Sequence, residues 1–291
     1  EKLLNLLARL AKGAGAEVFF KHQFEGFAQF GRKIVVSLKN LETGEEYRRS
    51  TDILIGADGA LSAVSRAASR DGHHLTALVQ ARVLLSEEAN GDTSQVWFDS
   101  DQTKYFHWLI PESNRVGAVG LITDNVQEAD TCLKVFLEKR GFETLEIQAS
   151  VVPLHHFEWL GGFSTAGRNV FAVGDAAGQV KATTVGGVVA GLHGARALAN
   201  AILNGQNYHK ELQGLKRELD LHLLFRGVLN RFDEKDYDQL IGIIDGRLKY
   251  VLREWTRDEL TQSFFKLILA EPRLITLGAK AFLKSMLQNS N

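Results

Sequence analysis

The chain has almost no cysteine. Cys132 is the sole one among 291 residues, which excludes an intrachain disulfide and any cysteine-rich zinc module and predicts a reducing compartment, the cytoplasm by default. Methionine is just as scarce: Met286 is the only one and the first residue is Glu1, so the sequence is expected to be a fragment or a processed product. Charge of one sign is missing too. Lys plus Arg number 34 against 35 Asp plus Glu, a net charge of −1, which leaves no global field to hold nucleic acid or an anionic membrane. Partners must be chosen by local sites. No run of about 18 apolar residues escapes a charge, and the start lacks the order of a signal peptide, so a soluble protein is expected. With 45% hydrophobic and 24% charged residues, disorder, collagen and coiled coil are excluded, and one large domain or two smaller ones can form real cores.

What is present begins with Leu3, Leu6, Leu7, Leu10 and Ala11, whose spacing predicts a helix over Glu1 to Lys12, stopped by Gly13 and Gly15. Ala16 to Phe20 is expected as a short strand. Ile34 to Leu38 and Glu45 to Arg49 are expected as a hairpin around Glu42-Thr43-Gly44. Asp52 to Gly56 reads as a buried parallel strand entering a glycine-rich turn. From Thr76 to Leu154 the pattern turns β-rich: Ala77 to Leu85, Ser94 to Phe98, Tyr105 to Ile110, Val116 to Ile122 and Glu146 to Val152 predict an antiparallel sheet. Glu128 to Lys139 interrupts it as a helix with Cys132, Val135 and Phe136 as core positions. Asn169 to Asp175 is a second buried strand, Gly186 to Leu203 a small-residue helix packed on it, and the chain after Asn207 is helical.

Two segments place an aspartate directly after a buried strand, Gly56-Ala57-Asp58-Gly59 and Gly174-Asp175-Ala176-Ala177-Gly178. Small residues there let backbone approach a bulky ligand, the carboxylate can accept hydrogen bonds from sugar-like hydroxyls, and a helix start can bind phosphate. Ordinary turn chemistry would explain either motif alone. The histidine pairs His73-His74 and His155-His156 lack metal-ligand spacing, and Cys132 has no base motif beside it. No metal site, no nucleophilic triad and no nucleic-acid groove is expected.

In this order, with a β-rich segment between them, the two motifs resemble the flavoprotein superfamily of aromatic hydroxylases and geranylgeranyl reductases. The first motif there runs Gly-Ala-Asp-Gly, two residues, Ser, then Val-Arg. Here Gly56 to Gly59 is followed by Ser62 and Val64, with Ser65 in the arginine place and Arg66 one later. By resemblance, Asp175 would hold the ribityl chain of FAD, and Gly186, Gly187 and Val188 would donate to the flavin pyrimidine end. Asp58, Gly59, Gly174 and Ala176 complete the candidate cofactor-binding set. Hydroxylases carry histidine where Gly178 stands. Geranylgeranyl reductases resemble Gly-Asp-Ala-Ala-Gly, two residues, Lys-Pro-Thr-Thr-Gly-Gly-Gly, which Gly174 to Gly187 matches except that Ala182 replaces the proline and Val185 the first glycine. Their Tyr-x-Trp-x-Phe-Pro cavity motif is similar to Phe106-His107-Trp108-Leu109-Ile110-Pro111. Phe106, Trp108, Ile110 and Pro111 are therefore the candidate substrate wall, while Tyr105, shifted by one, is expected on the opposite side of the strand.

The resemblance implies an α/β fold: an incomplete FAD/NAD(P)-binding Rossmann-like domain (1–72 and 161–206), an inserted antiparallel β-sheet substrate domain (73–160) and a helical C-terminal region (207–291). That tail, through Arg231-Phe232-Asp233, Leu240-Ile241, Trp255 to Asp258 and Pro272 to Leu283, is similar to the helical end of archaeal and bacterial members. The usual Gly-x-Gly-x-x-Gly turn is absent. Gly13-Ala14-Gly15 and Gly161-Gly162 do not form it, so roughly the first quarter of the parent is expected to be missing. The implied activity is reduction of prenyl carbon–carbon double bonds with FAD, using NAD(P)H or another reductant. The alternatives are a flavin monooxygenase or halogenase acting on an aromatic or polyketide substrate, and a truncated module that holds no cofactor. No catalytic acid is assigned. Lys266, Arg273, Lys280 and Lys284, on helices rich in Phe, Leu and Ile, mark a candidate peripheral membrane contact.

Overall fold

Two short strands set the centre of the fold, the second buried and the first only in part, since Ile55, expected inside, is exposed. In the computed structural model, which describes residues 2–68, 75–85, 91–156, 169–244, 246–254 and 260–288, strand β4 (Leu54–Gly56) pairs in parallel with β10 (Val170–Ala172), Gly56 opposite Ala172. Helix α1 (Lys2–Gly13) precedes a three-stranded antiparallel sheet of β1 (His22–Phe30), β2 (Lys33–Asn40) and β3 (Glu46–Thr51). Ile34 and Val36 alternate inward from β2 and pack on Val170, Ala172, Ala176 and Val64, the last from α2 (Ala63–Ala67). Gly44 at φ +74 turns the β2–β3 hairpin, and the Asn40 side chain accepts from the Glu42 and Thr43 amides at 2.9 and 3.2 Å.

One expected strand is not there. Ala16 to Phe20 has no strand, and Phe19 and Phe20 are exposed; the true first strand is β1. A bulge between Phe24 and Gly26 breaks its alternation, which hides β1 from a period-two reading.

The second sheet runs β6-β7-β8-β5-β9, every pair antiparallel: β5 (Leu75–Leu84), β6 (Gln95–Trp97), β7 (His107–Pro111), β8 (Val116–Thr123) and β9 (Glu143–Pro153). Ala77, Val79, Ala81, Val83, Leu109, Val119 and Leu121 line one face and bury α3 (Ala129–Arg140). The buried stripe of α3 is Ala129, Leu133, Phe136 and Leu137, the i, i+4, i+7, i+8 set. Val135, expected in this core, is exposed, and Cys132 is only half-buried at its margin.

Helix α4 (Val188–Asn204) lies against β10 through small residues. A Cβ at Gly194 would stand 1.9 Å from Gln179 Oε1, so only glycine allows this approach. Then follow α5 (Tyr208–Glu211), α6 (Gln213–Leu229), α7 (Glu234–Ile243, opened by an Asp233/Asp236 capping box), α8 (Gly246–Glu254), α9 (Leu260–Ala270) and α10 (Arg273–Gln288). Phe232, Tyr237, Ile243, Leu248, Leu277 and Ala281 form their core. Stacking of Phe98 on Tyr237, ring centroids 4.1 Å apart, joins this tail to the large sheet. Among the described residues no helix is long and apolar enough to cross a membrane. The boundaries expected at 72/73 and 160/161, His73-His74, Gly161-Gly162, Trp255 to Asp258 and the Lys284 side chain lie outside the described residues.

Candidate functional site

The first Gly-Asp turn follows β4. Asp58 accepts from the Ser62 hydroxyl (2.5 Å) and from the Ala63 and Val64 amides (2.6 and 3.2 Å), so its carboxylate is taken up by the start of α2. Gly56 must lack a side chain, because a Cβ there would lie 2.9 Å from Val64 Cβ. Gly59, at φ +79, faces open space. Ser65, in the place of the expected arginine, is buried and donates to Ala176 O at 3.0 Å. The Val173 amide donates to Gly56 O at 3.0 Å. The two turns therefore sit side by side at the carboxyl end of the β4–β10 pair.

The second turn is tightly built. Gly174 (φ +66) opens a 3-10 turn through Ala177, and Gly178 (φ +65) closes it in the left-handed region that glycine enters freely. The buried Gln179 side chain accepts from the Gly174 amide (2.8 Å) and donates to Tyr208 Oη (3.1 Å), which in turn donates to Ala172 O (3.1 Å). Asp175 is half-buried and its Oδ1 lies 2.6 Å from where a Gly187 Cβ would stand. Burial raises its pKa, and among the described residues no donor steadies the charge. Gly187 is the N-cap of α4 and no side chain caps that helix, so its first amides are open to a ligand. A carboxylate acceptor and an uncapped helix start thus converge. Together they suit a ligand that carries hydroxyls and electron-rich oxygens.

The face of the large sheet opposite α3 meets this turn. Phe106 and Trp108 stand on it at a centroid distance of 6.3 Å, and the Trp108 indole covers Gly120, where a Cβ would be 2.3 Å from the ring. Trp108 packs with Tyr105, Ile122, Val180 and Val185, the last two from the loop after Asp175. Ile110 is exposed farther along, and Pro111 pairs with Gly117 at the strand end; neither joins the cluster. Tyr105 was expected on the other side and is not. The ladder of β7 starts only at His107, so alternation does not apply to Tyr105, which folds back into the same cluster. Its hydroxyl donates to Asp124 at 3.1 Å, and burial, with the Asp124 charge second, pushes its pKa up to about 12.

Helix α6 contributes residues the sequence did not single out. Glu218, His222 and Arg226, four apart, form a buried polar row on one face. His222 Nδ1 shares a 2.6 Å hydrogen bond with Thr183 Oγ1 in the turn before α4. Arg226 donates to Lys104 O at 2.8 Å and lies 4.7 Å from the Tyr105 ring centroid. Burial would raise the Glu218 pKa, but hydrogen bonds from the Thr261 hydroxyl and the Thr261 and Leu260 amides, with the His222 ring nitrogen 3.5 Å away, outweigh it and hold it at about 2. His155 pairs with Asp220 at 2.7 Å beside this row. A four-residue recurrence of charge was the available signal, and it reads equally well as a solvated face. Among the described residues no group of three or more His, Cys, Asp and Glu could hold a metal ion.

Two Gly-Asp turns on a parallel pair, a glycine-started helix beside the second, and an antiparallel sheet domain between them define an α/β cofactor-binding protein of the dinucleotide type. The chain belongs to the FAD binding domain family, which it matches over residues 1–211, and FAD is the cofactor of that family. It is 26% identical over 217 residues to digeranylgeranylglycerophospholipid reductase 2 of Methanothermobacter thermautotrophicus, covering 67% of this chain and 55% of that protein. Digeranylgeranylglycerophospholipid reductase 3 of Methanosphaera stadtmanae is 27% identical over 252 residues, 78% of this chain and 62% of its own. Geranylgeranyl diphosphate reductase of Synechocystis is 28% identical over 184 residues, 58% and 44%. The chain therefore spans about half to two thirds of these relatives. Among solved structures, a geranylgeranyl bacteriochlorophyll reductase-like protein of Thermoplasma acidophilum shares the fold, with TM-score 0.71 at 19% identity over 96% of this chain and 74% of that one. CmlS, a flavin-dependent halogenase, shares it less fully, with TM-score 0.53 at 18% identity over 79% and 44%.

Proposed function

We propose that this chain is part of an FAD-dependent oxidoreductase that reduces prenyl carbon–carbon double bonds in isoprenoid or lipid biosynthesis. One observation carries this reading: the apolar wall of Phe106 and Trp108 packs, through Val180 and Val185, directly on the loop that joins Asp175 to the α4 start. An apolar chain on that wall would lie next to whatever the helix start binds. The residues fit the ribityl and pyrimidine part of FAD, because a Gly187 side chain would fill the space beside Asp175 and the Asp175 carboxylate has no donor of its own among the described residues. When bound, reduced flavin supplies a hydride from N5.

Asp175 would accept from ribityl hydroxyls, and the Gly186, Gly187 and Val188 amides would donate to the pyrimidine edge, where the helix start favours negative charge. Gly174 and Ala176 shape the turn. Gly59 leaves backbone room at the first turn, while Asp58 acts by holding α2 in place. Phe106 and Trp108 would exclude water from the prenyl chain, and Ile110, two residues along the strand from Trp108, would extend that wall outward, while Pro111 alternates to the α3 face with Leu109 and is left out of it. The reductant is NAD(P)H or another donor, and no residue present is assigned the proton donation. Proposed boundaries are 1–72 and 161–206 for the FAD-binding part, 73–160 for the sheet domain and 207–291 for the tail. In that tail Lys266, Arg273 and Lys280, on helices whose Leu269, Ile275 and Phe282 are exposed, form the proposed peripheral contact with a membrane surface, with Arg273 paired to Glu271 at 2.6 Å and Lys280 to Asp236 at 3.5 Å.

The test is an anaerobic single turnover. FAD-loaded protein reduced with dithionite is mixed with a geranylgeranyl lipid, flavin reoxidation is followed by absorbance, and the product is weighed by mass spectrometry. Reoxidation matched by gain of a hydrogen pair per double bond supports the proposal. Reoxidation by oxygen alone, with oxygen or halogen delivered to an aromatic substrate, would establish the monooxygenase or halogenase reading instead. Failure to retain FAD would establish a module that holds no cofactor.

A further inference from the structure

The turn that leads into α4 is held from two sides. Residues 181–186 close on themselves: the Val185 amide donates to Lys181 O at 2.9 Å, and the Lys181 amide donates to Gly186 O at 3.2 Å. Within the turn Val185 sits at φ +54, in the left-handed region that a β-branched residue keeps only when its surroundings impose it. On one side Val185 packs into the closed apolar cluster of Trp108, Tyr105, Ile122 and Val180. On the other, Thr183 Oγ1 shares a 2.6 Å hydrogen bond with Nδ1 of His222 on α6.

His222 is the member of the buried α6 row that reaches this turn. Glu218, one helical turn before it, takes the Leu260 and Thr261 amides at the start of α9, and Arg226, one turn after it, donates to Lys104 O ahead of β7. The second ring nitrogen of His222, Nε2, lies 3.5 Å from Glu218 Oε1. A carboxylate on that side favours the tautomer with its proton on Nε2, which leaves Nδ1 to accept from the Thr183 hydroxyl. A leucine would bury this position at less desolvation cost, so the use of an imidazole here lies in its reach to Thr183. No side chain caps α4, and the direction of its first amides therefore depends on the turn that precedes them.

We propose that His222 is a positioning residue for flavin: through Thr183 it sets the 181–186 turn so that the Gly186, Gly187 and Val188 amides face the ligand. This rests on the flavin reading of the α4 start. It makes flavin affinity depend on the helical tail, because the latch comes from α6.

The experiment is an FAD titration, followed by quenching of flavin fluorescence, of the wild-type protein, Thr183→Val, Thr183→Ser, His222→Leu, His222→Asn and the double variant Thr183→Val/His222→Leu. Asp233→Ala, which opens the capping box of α7 elsewhere in the tail, controls for general loosening. Removing the bond from either end is expected to weaken FAD binding about 3- to 10-fold, and the double variant should be no weaker than the more affected single one. Thr183→Ser keeps the hydroxyl and His222→Asn keeps a polar atom near the Nδ1 place, so both should bind within about twofold of wild type, as should Asp233→Ala. If His222→Leu does not fold, the contrast between Thr183→Val and Thr183→Ser decides. Wild-type affinity in Thr183→Val and His222→Leu, losses that add in the double variant, or an equal loss in Asp233→Ala overturns the role of His222 and leaves the flavin reading standing. A wild type that binds no FAD overturns the flavin reading and the inference with it.

Discussion

Replacing His107 with leucine is expected to remove much of the protein's sensitivity to mild acid. His107 is fully buried on the α3 side of the sheet, its ring stacked on Phe136 with centroids 4.1 Å apart, and neither ring nitrogen has a hydrogen-bond partner. Burial lowers its pKa from 6.5 to about 4, the nearby Asp99 opposing and Arg140 and Lys139 reinforcing the shift. The folded state thus disfavours the proton that the unfolded chain accepts. The penalty is absent above pH 6.5, grows as pH falls through the unfolded pKa, and levels off below about 4. The difference of about 2.5 pKa units, at about 1.4 kcal/mol each, gives a full loss of about 3 kcal/mol. At pH 5 about 2 kcal/mol of this is reached.

The assay is urea denaturation at pH 7 and pH 5 for both proteins. The wild type is expected to lose about 2 kcal/mol more than His107→Leu between the two conditions. The comparison cancels every other titrating group common to both proteins. It also cancels the separate gain at pH 7 from removing two unsatisfied nitrogens, about 1–3 kcal/mol. Equal pH slopes for the two proteins would refute the assignment of that acid sensitivity to His107.

Other substitutions probe the remaining contacts. Gly120→Ala places a Cβ 2.3 Å from the Trp108 ring and is expected to cost about 1–3 kcal/mol in denaturation and to change the near-ultraviolet circular dichroism. Asp58→Ala removes the acceptor of the Ala63 and Val64 amides at the start of α2 and is expected to cost about 1–2 kcal/mol, read from the thermal midpoint. Glu218→Gln weakens the bonds to Leu260 and Thr261 at the start of α9 and is expected to cost about 1–3 kcal/mol at pH 7. Because the Glu218 pKa is depressed to about 2, the wild-type advantage over Glu218→Gln should persist above pH 4.5 and fade as pH drops below it.

The sequence carried the skeleton of the site because its chemistry is local. Either motif alone reads as an ordinary turn, but the two short apolar runs that enter Gly56-Ala57-Asp58-Gly59 and Gly174-Asp175 become β4 and β10, which pair in parallel and bring both turns to one end. The five strands of the large sheet were legible as β-rich segments; alternation shows in β5, whose Ala77, Val79, Ala81 and Val83 are buried toward α3, whereas β8 is buried on both faces and most of β9 is exposed. What escaped depended on tertiary context. β1 was hidden by its bulge, and Tyr105 by lying before the ladder starts. The α6 row of Glu218, His222 and Arg226 resembles a solvated stripe until Thr183, Lys104 and Leu260 arrive from distant segments to cover it. That the Asp58 oxygens are engaged by α2 also follows from the fold and not from the motif.

Asp175 and the α4 start are the proposed flavin-holding groups on which the site's chemistry depends. The decisive measurement is an FAD titration of the wild-type protein and of Asp175→Ala, followed by quenching of flavin fluorescence. Losing a hydrogen bond to a charged acceptor costs about 1.5–3 kcal/mol, so the variant should bind FAD about 10- to 150-fold more weakly. Equal affinity in the two proteins, or no binding by the wild type, would contradict the site.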